Sequence, residues 1–333
     1  MRAEPELLAR DAESLFWMAR YLERIENLAR LIDVTQGFES PGREADAWSA
    51  LLAINNDAQR LAEAGADVSQ YPDIVRRFYL LDRENPTGVP YCLAAARTNA
   101  RTLRSLISTE MWRQINMFHR FVSQIEAGAL DGDRLSRLCV RLKEAVQAHT
   151  GITEGTMYRG QGWHFYMLGR LIERADQTTR LLDIKYHLLS PRAGETGKVI
   201  EITQWYAVLR AAAGYHAFRQ LSSARASIGD VVSFLLRDPS FPRSLLLCFR
   251  RIEAHLGDLA RLHHLHGLGD PLEQAEYLRE YVYAAPTQRL LAGNLHDYLD
   301  QAQLLLMDLA ASLGRLYFRD WRPAPAATQD AQG

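Results

Sequence analysis

The chain has 333 residues, of which 47% are apolar and 24% charged, enough to bury one large core or two fused halves. Its 39 lysines and arginines nearly balance its 40 aspartates and glutamates, for a net charge of −1. This balance argues against nucleic acid or an anionic membrane as the main partner. The N-terminus lacks the apolar core of a signal peptide, and no apolar run could span a bilayer. We therefore expect a soluble, cytoplasmic protein.

The sequence carries no recognised motif for a metal or a cofactor. The three cysteines are scattered through apolar helical segments, which indicates buried thiols rather than disulfides or a zinc site. There is no Glu-x-x-His pair of the kind that holds two metal ions in a helical bundle. Phosphate-binding and dinucleotide-binding glycine motifs are also missing. We therefore predict neither a bound metal nor a cofactor.

Apolar residues recur every three to four positions along almost the whole chain, without the sustained alternation typical of strands. The pattern predicts an all-α fold, a helical bundle, as one domain over residues 1–320. We predict a disordered tail at 321–333, because apart from proline most of it carries no apolar residue larger than alanine. The glycine-rich stretch GITEGTMYRGQG at 151–162 is predicted to be a loop. The predicted helices cover residues 12–35, 47–65, 71–81, 89–107, 109–127, 133–149, 163–188, 201–220, 228–236, 241–265, 272–283 and 288–319.

Two of these helices look like copies of each other. FWMARYLERIENLARLIDV at 16–34 matches YMLGRLIERADQTTRLLDI at 166–184, with an offset of 150 residues and no gap. Charge sign is kept at six positions and amide chemistry at a seventh. The matched pairs are Arg20 and Arg170, Glu23 and Glu173, Arg24 and Arg174, Glu26 and Asp176, Asn27 and Gln177, Arg30 and Arg180, and Asp33 and Asp183. We interpret the pattern as an internal duplication.

A helical projection at about 100° per residue places Glu23 and Arg30 on the side opposite the apolar half of the first copy. Three interpretations of the matched charges remain open. They form a buried or inter-helix ionic network, a ligand site built from both copies, or an exposed face that matches through shared ancestry. Retention of arginine as arginine favours planar, bidentate contacts, and hence the network.

The two copies belong to a wider set of motifs. These include AARTNARTLRSLISTEMWRQIN at 95–116, GTMYRGQGWHFYMLGRLIERADQ at 155–177 and SFLLRDPSFPRSLLLCF at 233–249. In this order they resemble the alpha-E domain, a bacterial α-helical family, and the resemblance extends to about residue 320. It implies an all-helical protein with two ER-motif helices. It also directs attention to motif positions outside the repeats, namely Arg97, Asn99, Arg101, Glu110, Trp112, Asn116, Thr156, Arg159 and Trp163.

The resemblance also implies partners. Members are typically encoded beside, or fused to, circularly permuted ATP-grasp ligases, and transglutaminase-like proteases often occur in the same clusters. The role implied is the synthesis or modification of a peptide or amide-linked metabolite. The family has no assigned catalytic residue, so the resemblance itself does not decide whether the chain is an enzyme.

Two functional hypotheses follow. The first is a non-catalytic helical partner of an ATP-grasp-type ligase. The second is an enzyme in its own right, in which the repeat arginines bind carboxylates while Glu23 or Glu173 acts as acid or base. Glutamates fully paired in a packed core would count against the second hypothesis, and an open cleft at Arg24 and Arg174 would count against the first.

The three arginines Arg97, Arg101 and Arg104 form a separate stripe at i, i+4 and i+7 of one predicted helix. Such a stripe either binds a phosphate or carboxylate, or forms a solvated or acid-paired face.

Overall fold

A computed structural model describes residues 7–39, 44–63, 71–188, 198–222 and 226–318. Within these ranges the chain is helical and contains no strand, which confirms the all-α prediction. The predicted tail at 321–333 lies outside the described residues. None of the described helices is long and apolar enough to cross a bilayer.

Fifteen α-helices occur in the described ranges: α1 (Ala9–Gly37), α2 (Glu44–Asn55), α3 (Ala58–Glu63), α4 (Tyr71–Leu80), α5 (Val89–Thr102), α6 (Thr109–Ser123), α7 (Gly132–Thr156), α8 (Gln161–Leu188), α9 (Lys198–Ala211), α10 (Tyr215–Leu221), α11 (Ile228–Arg237), α12 (Leu245–Arg261), α13 (Gly269–Tyr283), α14 (Thr287–Arg289) and α15 (Leu295–Tyr317). A 3₁₀ turn at Ala127–Leu130 precedes α7, and a π-helical segment at Leu290–Asn294 joins α14 to α15.

Two helices predicted to be continuous, at 47–65 and 201–220, are each divided in two. Asn56 and Ala213 adopt left-handed backbone conformations, with φ of 55° and 56°. In each case the next amide donates to the carbonyl five residues earlier, at 2.9 and 2.7 Å. This is the Schellman arrangement that ends a helix. The apolar periodicity alone did not reveal these breaks because it continues across them.

The loop predicted at 151–162 is wrong in its extent. Helix α7 continues to Thr156 and α8 begins at Gln161, so only four residues connect them. Glycine in a helix interior costs about 1 kcal/mol relative to alanine. Here the glycines at 151 and 155 are exposed, while Thr153 is buried and its hydroxyl donates to the carbonyl of His149 at 2.8 Å. Packing of the buried face therefore outweighs the glycine content.

Helices α1 and α8 form the central pair of the bundle and share the most extensive helix–helix interface of the described chain. They run in the same direction, because Phe16 meets Gly169 and Glu23 meets Arg174 further along both helices. A Cβ atom at Gly169 would lie 2.2 Å from the Phe16 carbonyl oxygen, so the two backbones nearly touch there. Helices α5 and α7 pack against α1, and α12 and α15 pack against α8.

Candidate functional site

The two Glu-Arg dipeptides of the central helix pair bind each other crosswise. Arg174 donates from Nε and Nη2 to the two carboxylate oxygens of Glu23, at 2.8 and 2.9 Å. Arg24 donates in the same way to Glu173, at 2.7 and 3.0 Å. Both contacts are bidentate, the geometry in which a planar guanidinium binds a carboxylate most strongly. Each dipeptide therefore ties its own helix to the other.

Glu173, Arg20 and Arg24 make up the first of two ionic clusters, which we call the Glu173 cluster. Arg20 adds a third hydrogen bond from its Nε to Glu173 at 2.8 Å. The Glu173 carboxylate is fully buried. Burial alone would raise its pKa, but the charges of Arg24 and Arg20 outweigh that effect and hold the pKa below its ordinary value. Glu173 is therefore ionised at neutral pH.

The second cluster, the Glu23 cluster, consists of Glu23, Glu26, Arg170, Arg174 and Arg243. Arg170 donates to Glu23 at 3.4 Å, and Arg243 donates to Glu23 at 3.2 Å and to Glu26 at 2.7 Å. Arg243 precedes α12 and is itself buried. Burial would raise the pKa of Glu23, yet the charges of Arg174 and Arg243 lower it below its ordinary value. This cluster therefore joins α1, α8 and the start of α12.

Arg30 and Arg180 extend the two copies in a matching way. Each binds an acid one turn earlier on its own helix and a carbonyl at the end of another helix. Arg30 binds Glu26 at 2.6 Å and the carbonyl of Ala211 at 3.2 Å, whereas Arg180 binds Asp176 at 2.8 Å and the carbonyl of Ile54. These carbonyls lie in the last turns of α9 and α2, so the two arginines fix the ends of those helices to the central pair.

The remaining pair of candidate acids, Asp33 and Asp183, contacts other helices. Asp33 accepts from the ammonium group of Lys143 at 2.8 Å. Asp183 contacts Nδ1 of His296 at 2.8 Å, and Nε2 of the same ring lies 3.5 Å from Asp300. In the part of the chain that the structure describes, Asp183, His296 and Asp300 are the group close enough to hold a metal ion. Both ring nitrogens already face carboxylates, so we interpret this group as an ion pair.

Within the described residues, the cavity found at the Glu23 cluster is too small for a substrate. The cavity beside Asn27, Gln177 and Arg243 measures about 10 Å³, roughly the least that a single water needs. Glu23 and Glu173 are 2% and 0% exposed. The helical projection had placed Glu23 on the polar side of an amphipathic helix, but that side faces α8 rather than solvent.

The candidate positions on α5 and α6 form a separate group. The Nε of Arg97 donates to Asn116 at 2.8 Å, and the guanidinium lies 5.8 Å from the centroid of the Trp112 ring. Arg104 approaches the same ring at 4.9 Å, but it follows the end of α5. The predicted stripe of three arginines is therefore interrupted: Arg97 and Arg104 approach the Trp112 ring, whereas Arg101 is exposed on the last turn of α5.

The other candidate positions lie apart from the clusters. The exposed Glu110 is in the first turn of α6. Near the α7–α8 connection, the Thr156 hydroxyl donates to the Ser108 hydroxyl at 2.8 Å. Arg159 lies over the Trp163 ring at 3.5 Å and donates to a backbone carbonyl at the end of α7. These contacts stabilise the corner that precedes the second repeat helix.

A cleft of about 830 Å³ opens between α1, α5 and the C-terminal end of α6. Trp17, Tyr21 and Tyr91 contribute aromatic side chains to its lining, and Arg10 and Arg83 contribute positive charge. Asn99 also lines it, and is the only candidate position from the sequence to do so. The volume lies within the range typical of sites that bind small molecules or short peptides.

The Glu173 cluster lies directly behind this cleft. The Arg20 guanidinium is 5.0 Å from the centroid of the Trp17 ring, and that of Arg24 is 6.0 Å from the Tyr21 ring. Both arginines are held on the buried Glu173 carboxylate. The cluster therefore supports two of the aromatic side chains that face the cleft.

Comparison of the sequence with known protein families identifies the family of this chain. Residues 7–318 match the alpha-E family, described as a predicted alpha-helical domain with a conserved ER motif. The chain belongs to the alpha-E family. This confirms the resemblance inferred from the motifs, and the crosswise pairs described above involve Glu23-Arg24 and Glu173-Arg174, the two ER dipeptides of the repeat helices.

Relatives of this alpha-E chain occur in mycobacteria. An uncharacterized protein of Mycobacterium bovis and another of Mycobacterium tuberculosis are each 26% identical to it over 267 residues. The match covers 74% of this chain but only 29% of each relative, so the chain spans less than a third of their length. No solved structure matches the chain.

Sequence reasoning missed several residues of this alpha-E chain. Arg243 lies in the 233–249 segment that carried the family resemblance, but no local pattern links it to a glutamate 220 positions earlier. Trp17 and Tyr21 fall on the apolar half of the first copy, where a helical projection does not distinguish them from core residues. The matched positions in the second copy are Met167 and Leu171, so an aromatic side chain present in one copy alone was the available signal.

Proposed function

We propose that this alpha-E chain is a non-catalytic helical partner of an ATP-grasp-type ligase system that makes or modifies a peptide or another amide-linked metabolite. The observation that carries the proposal is the closure of both ionic clusters. The ER residues hold the two central helices together and have no free face, so the bundle acts as a scaffold whose accessible feature is the cleft beside α1.

The alternative, an enzyme that uses the Arg/Glu pattern as its site, fits this geometry poorly. A general acid or base must exchange a proton near neutral pH and reach its substrate. The pKa values of Glu23 and Glu173 are both lowered, because the neighbouring arginines outweigh the effect of burial. Both carboxylates are already occupied by bidentate guanidinium groups. A substrate carboxylate would have to displace one of these internal pairs.

The lengths of the mycobacterial relatives support a module that works beside another activity. In each relative, the region that matches this chain is continuous with more than twice its length of further sequence. In our proposal the alpha-E region described above binds the ligase, and a transglutaminase-like protease acts in the same system. Because the chain has no strong net charge, recognition of the ligase depends on local surface features.

The test is a reconstitution with a circularly permuted ATP-grasp ligase, the class of partner that we propose. ADP formation is measured with ATP and a panel of amino acids and peptides, for the chain alone, the ligase alone and the mixture. We expect no turnover by the chain alone, and faster turnover or an altered product in the mixture. An Arg137→Glu variant, changed at an exposed position on α7, serves as the control for a charge change at the surface. Turnover by the isolated chain contradicts the proposal, and so does a ligase that neither binds the chain nor responds to it.

A further inference from the structure

The cleft beside α1 has two arginines, Arg10 and Arg83, in its lining. Arg83 is exposed, and no carboxylate among the described residues lies within salt-bridge distance of its side chain. The side chain of Arg10 is 63% exposed, and its acid contact is the adjacent Asp11 at 3.5 Å. The one acidic side chain in the lining is that of Glu13. Among the lining residues the two arginines exceed Glu13 by one positive charge, and because Arg10 has Asp11 beside it, Arg83 is the arginine best placed to bind an anionic ligand.

The far end of the cleft adds hydrogen-bonding groups without adding negative charge. His119 lies there. Burial makes the largest contribution to lowering the pKa of its ring, and the positive charges of Arg97 and Arg83 lower that pKa further. Its ring is therefore mainly neutral at pH 7. The side chains of Asn99 and Ser123 lie in the same lining. This end can donate hydrogen bonds to a ligand, and the nearby charge is positive.

The aromatic side of the cleft is organised before any ligand arrives. The Trp17 and Tyr21 rings lie 5.7 Å apart, and each is backed by an arginine of the Glu173 cluster. Tyr91 is 38% exposed and faces the same space from α5. Rings held in place in this way can pack against a chain of atoms with little loss of conformational entropy.

We infer that this cleft binds a peptide rich in carboxylates, with the acidic side chains directed at Arg83 and Arg10 and the peptide chain lying along Trp17, Tyr21 and Tyr91. The volume of about 830 Å³ accommodates a short peptide segment. The inference names the substrate class of the proposed function and rests on it for the biological role of binding. The binding itself requires only the isolated chain.

The experiment uses the full chain and two fluorescein-labelled hexapeptides, Gly-Phe-Glu-Glu-Gly-Glu and its counterpart with glutamine in place of every glutamate and a C-terminal amide. Fluorescence anisotropy is measured at two salt concentrations. We expect the acidic peptide to bind and the neutral one to bind at least about tenfold more weakly, since charge-assisted contacts are lost. Added salt is expected to weaken binding of the acidic peptide.

Two cleft variants with matched controls locate the binding. Arg83→Glu reverses an exposed charge and Tyr91→Ala removes an exposed ring, and we expect each to weaken binding, the charge reversal by about tenfold or more. Arg137→Glu and Tyr158→Ala make the same changes at exposed positions outside the cleft, and we expect affinities close to that of the unmodified chain. Urea unfolding confirms that all four variants fold.

The outcomes separate this inference from the proposed function. Equal binding of the two peptides, no binding of either, or an Arg83→Glu variant with unchanged affinity overturns the inference, while leaving the ligase partnership intact. Peptide binding that behaves as expected, combined with a ligase that neither binds nor responds to the chain, overturns the proposed function and preserves the cleft as a peptide site.

Discussion

The Glu173 and Glu23 clusters have the same central arrangement, but the Glu23 cluster contains two further residues, Glu26 and Arg243. In each cluster a buried glutamate on one central helix receives two arginines of the other helix, at positions related by the same offset of 150. The Glu23 cluster has an additional arginine, Arg243, from the segment before α12. The duplication itself remains a prediction from sequence, but the contacts within the central pair are reciprocal.

This difference determines which side of the central pair can serve a ligand. The side chains of Arg174 and Arg243 are 9% and 10% exposed, whereas those of Arg20 and Arg24 are 15% and 22% exposed. Arg243 closes the Glu23 side with a further helix. The Glu173 side is left with two aromatic rings, and beyond them the open cleft. The Glu-Arg motif thus holds the two central helices together, and on the Glu173 side it also supports the aromatic side of the cleft.

Among the changes considered, lowering the pH is expected to cause the largest loss of stability from the two clusters together. The pKa values of Glu173 and Glu23 are lowered in the folded chain, so their stabilisation is complete above the ordinary glutamate value of 4.5. As pH falls from 4.5 towards about 2, the unfolded chain takes up protons that the folded chain does not. For Glu173 alone the loss is on the order of 3 kcal/mol, and Glu23 adds to it.

Urea unfolding between pH 6 and 2.5 measures this loss, and NMR titration of the two carboxyl groups tests the difference between clusters. We expect Glu173 to take up its proton at a higher pH than Glu23, because two arginines surround it rather than three. A Glu173→Gln variant should show a smaller dependence on pH. Stability that does not change between pH 5 and 3 would contradict the assignment of both glutamates as ionised.

Neutralising one glutamate at a time separates the clusters at neutral pH. Glu23→Gln leaves three arginines without a shared carboxylate, and we expect a loss of about 3–5 kcal/mol in the free energy of unfolding. Glu173→Gln should cost less, because Arg20 and Arg24 are closer to solvent. Chemical denaturation measures both, with the exposed Glu144→Gln as control. Equal losses would show that Arg243 has no effect on the pairing.

Sequence alone predicted the long central helices to within three residues at each end, because their apolar periodicity is regular and loops flank them. The retained arginines favoured a buried or inter-helix ionic network that includes Glu23, but a projection of one helix could not identify which residues of other helices complete it. Only the matching charges on α8 make burial possible. The cleft was also not predictable, since it depends on how α1, α5 and α6 pack, and periodicity contains no information about that packing.

The contact between the two central helices is asymmetric at one matched pair, Ala19 and Gly169. A Cβ at Gly169 would meet the Phe16 carbonyl oxygen at 2.2 Å, so Gly169→Ala must separate α1 from α8. We expect a loss of about 3 kcal/mol, at the upper end for overpacked cores. The reciprocal change Ala19→Gly should cost only about 1 kcal/mol, from helix propensity.

Thermal and urea unfolding of both variants measure this asymmetry, and binding of the acidic peptide provides a second readout. Separation of the helices displaces Arg20 and Arg24 from Glu173, so Gly169→Ala should also weaken peptide binding. A stable Gly169→Ala variant would mean that the backbones are not in close contact at this point.

The smallest difference in stability that we predict is between variants of Arg30 and Arg180. Arg30→Met and Arg180→Met each remove a charge-assisted bond to a helix-end carbonyl, for a loss of about 1–2 kcal/mol. The two losses should differ, because Glu26 keeps Arg243 as a partner after Arg30→Met. Asp176 has no second arginine within salt-bridge distance in the described part of the chain. Arg180→Met should therefore be the more destabilising change in urea unfolding, and the reverse order would mean that Arg243 does not stabilise Glu26.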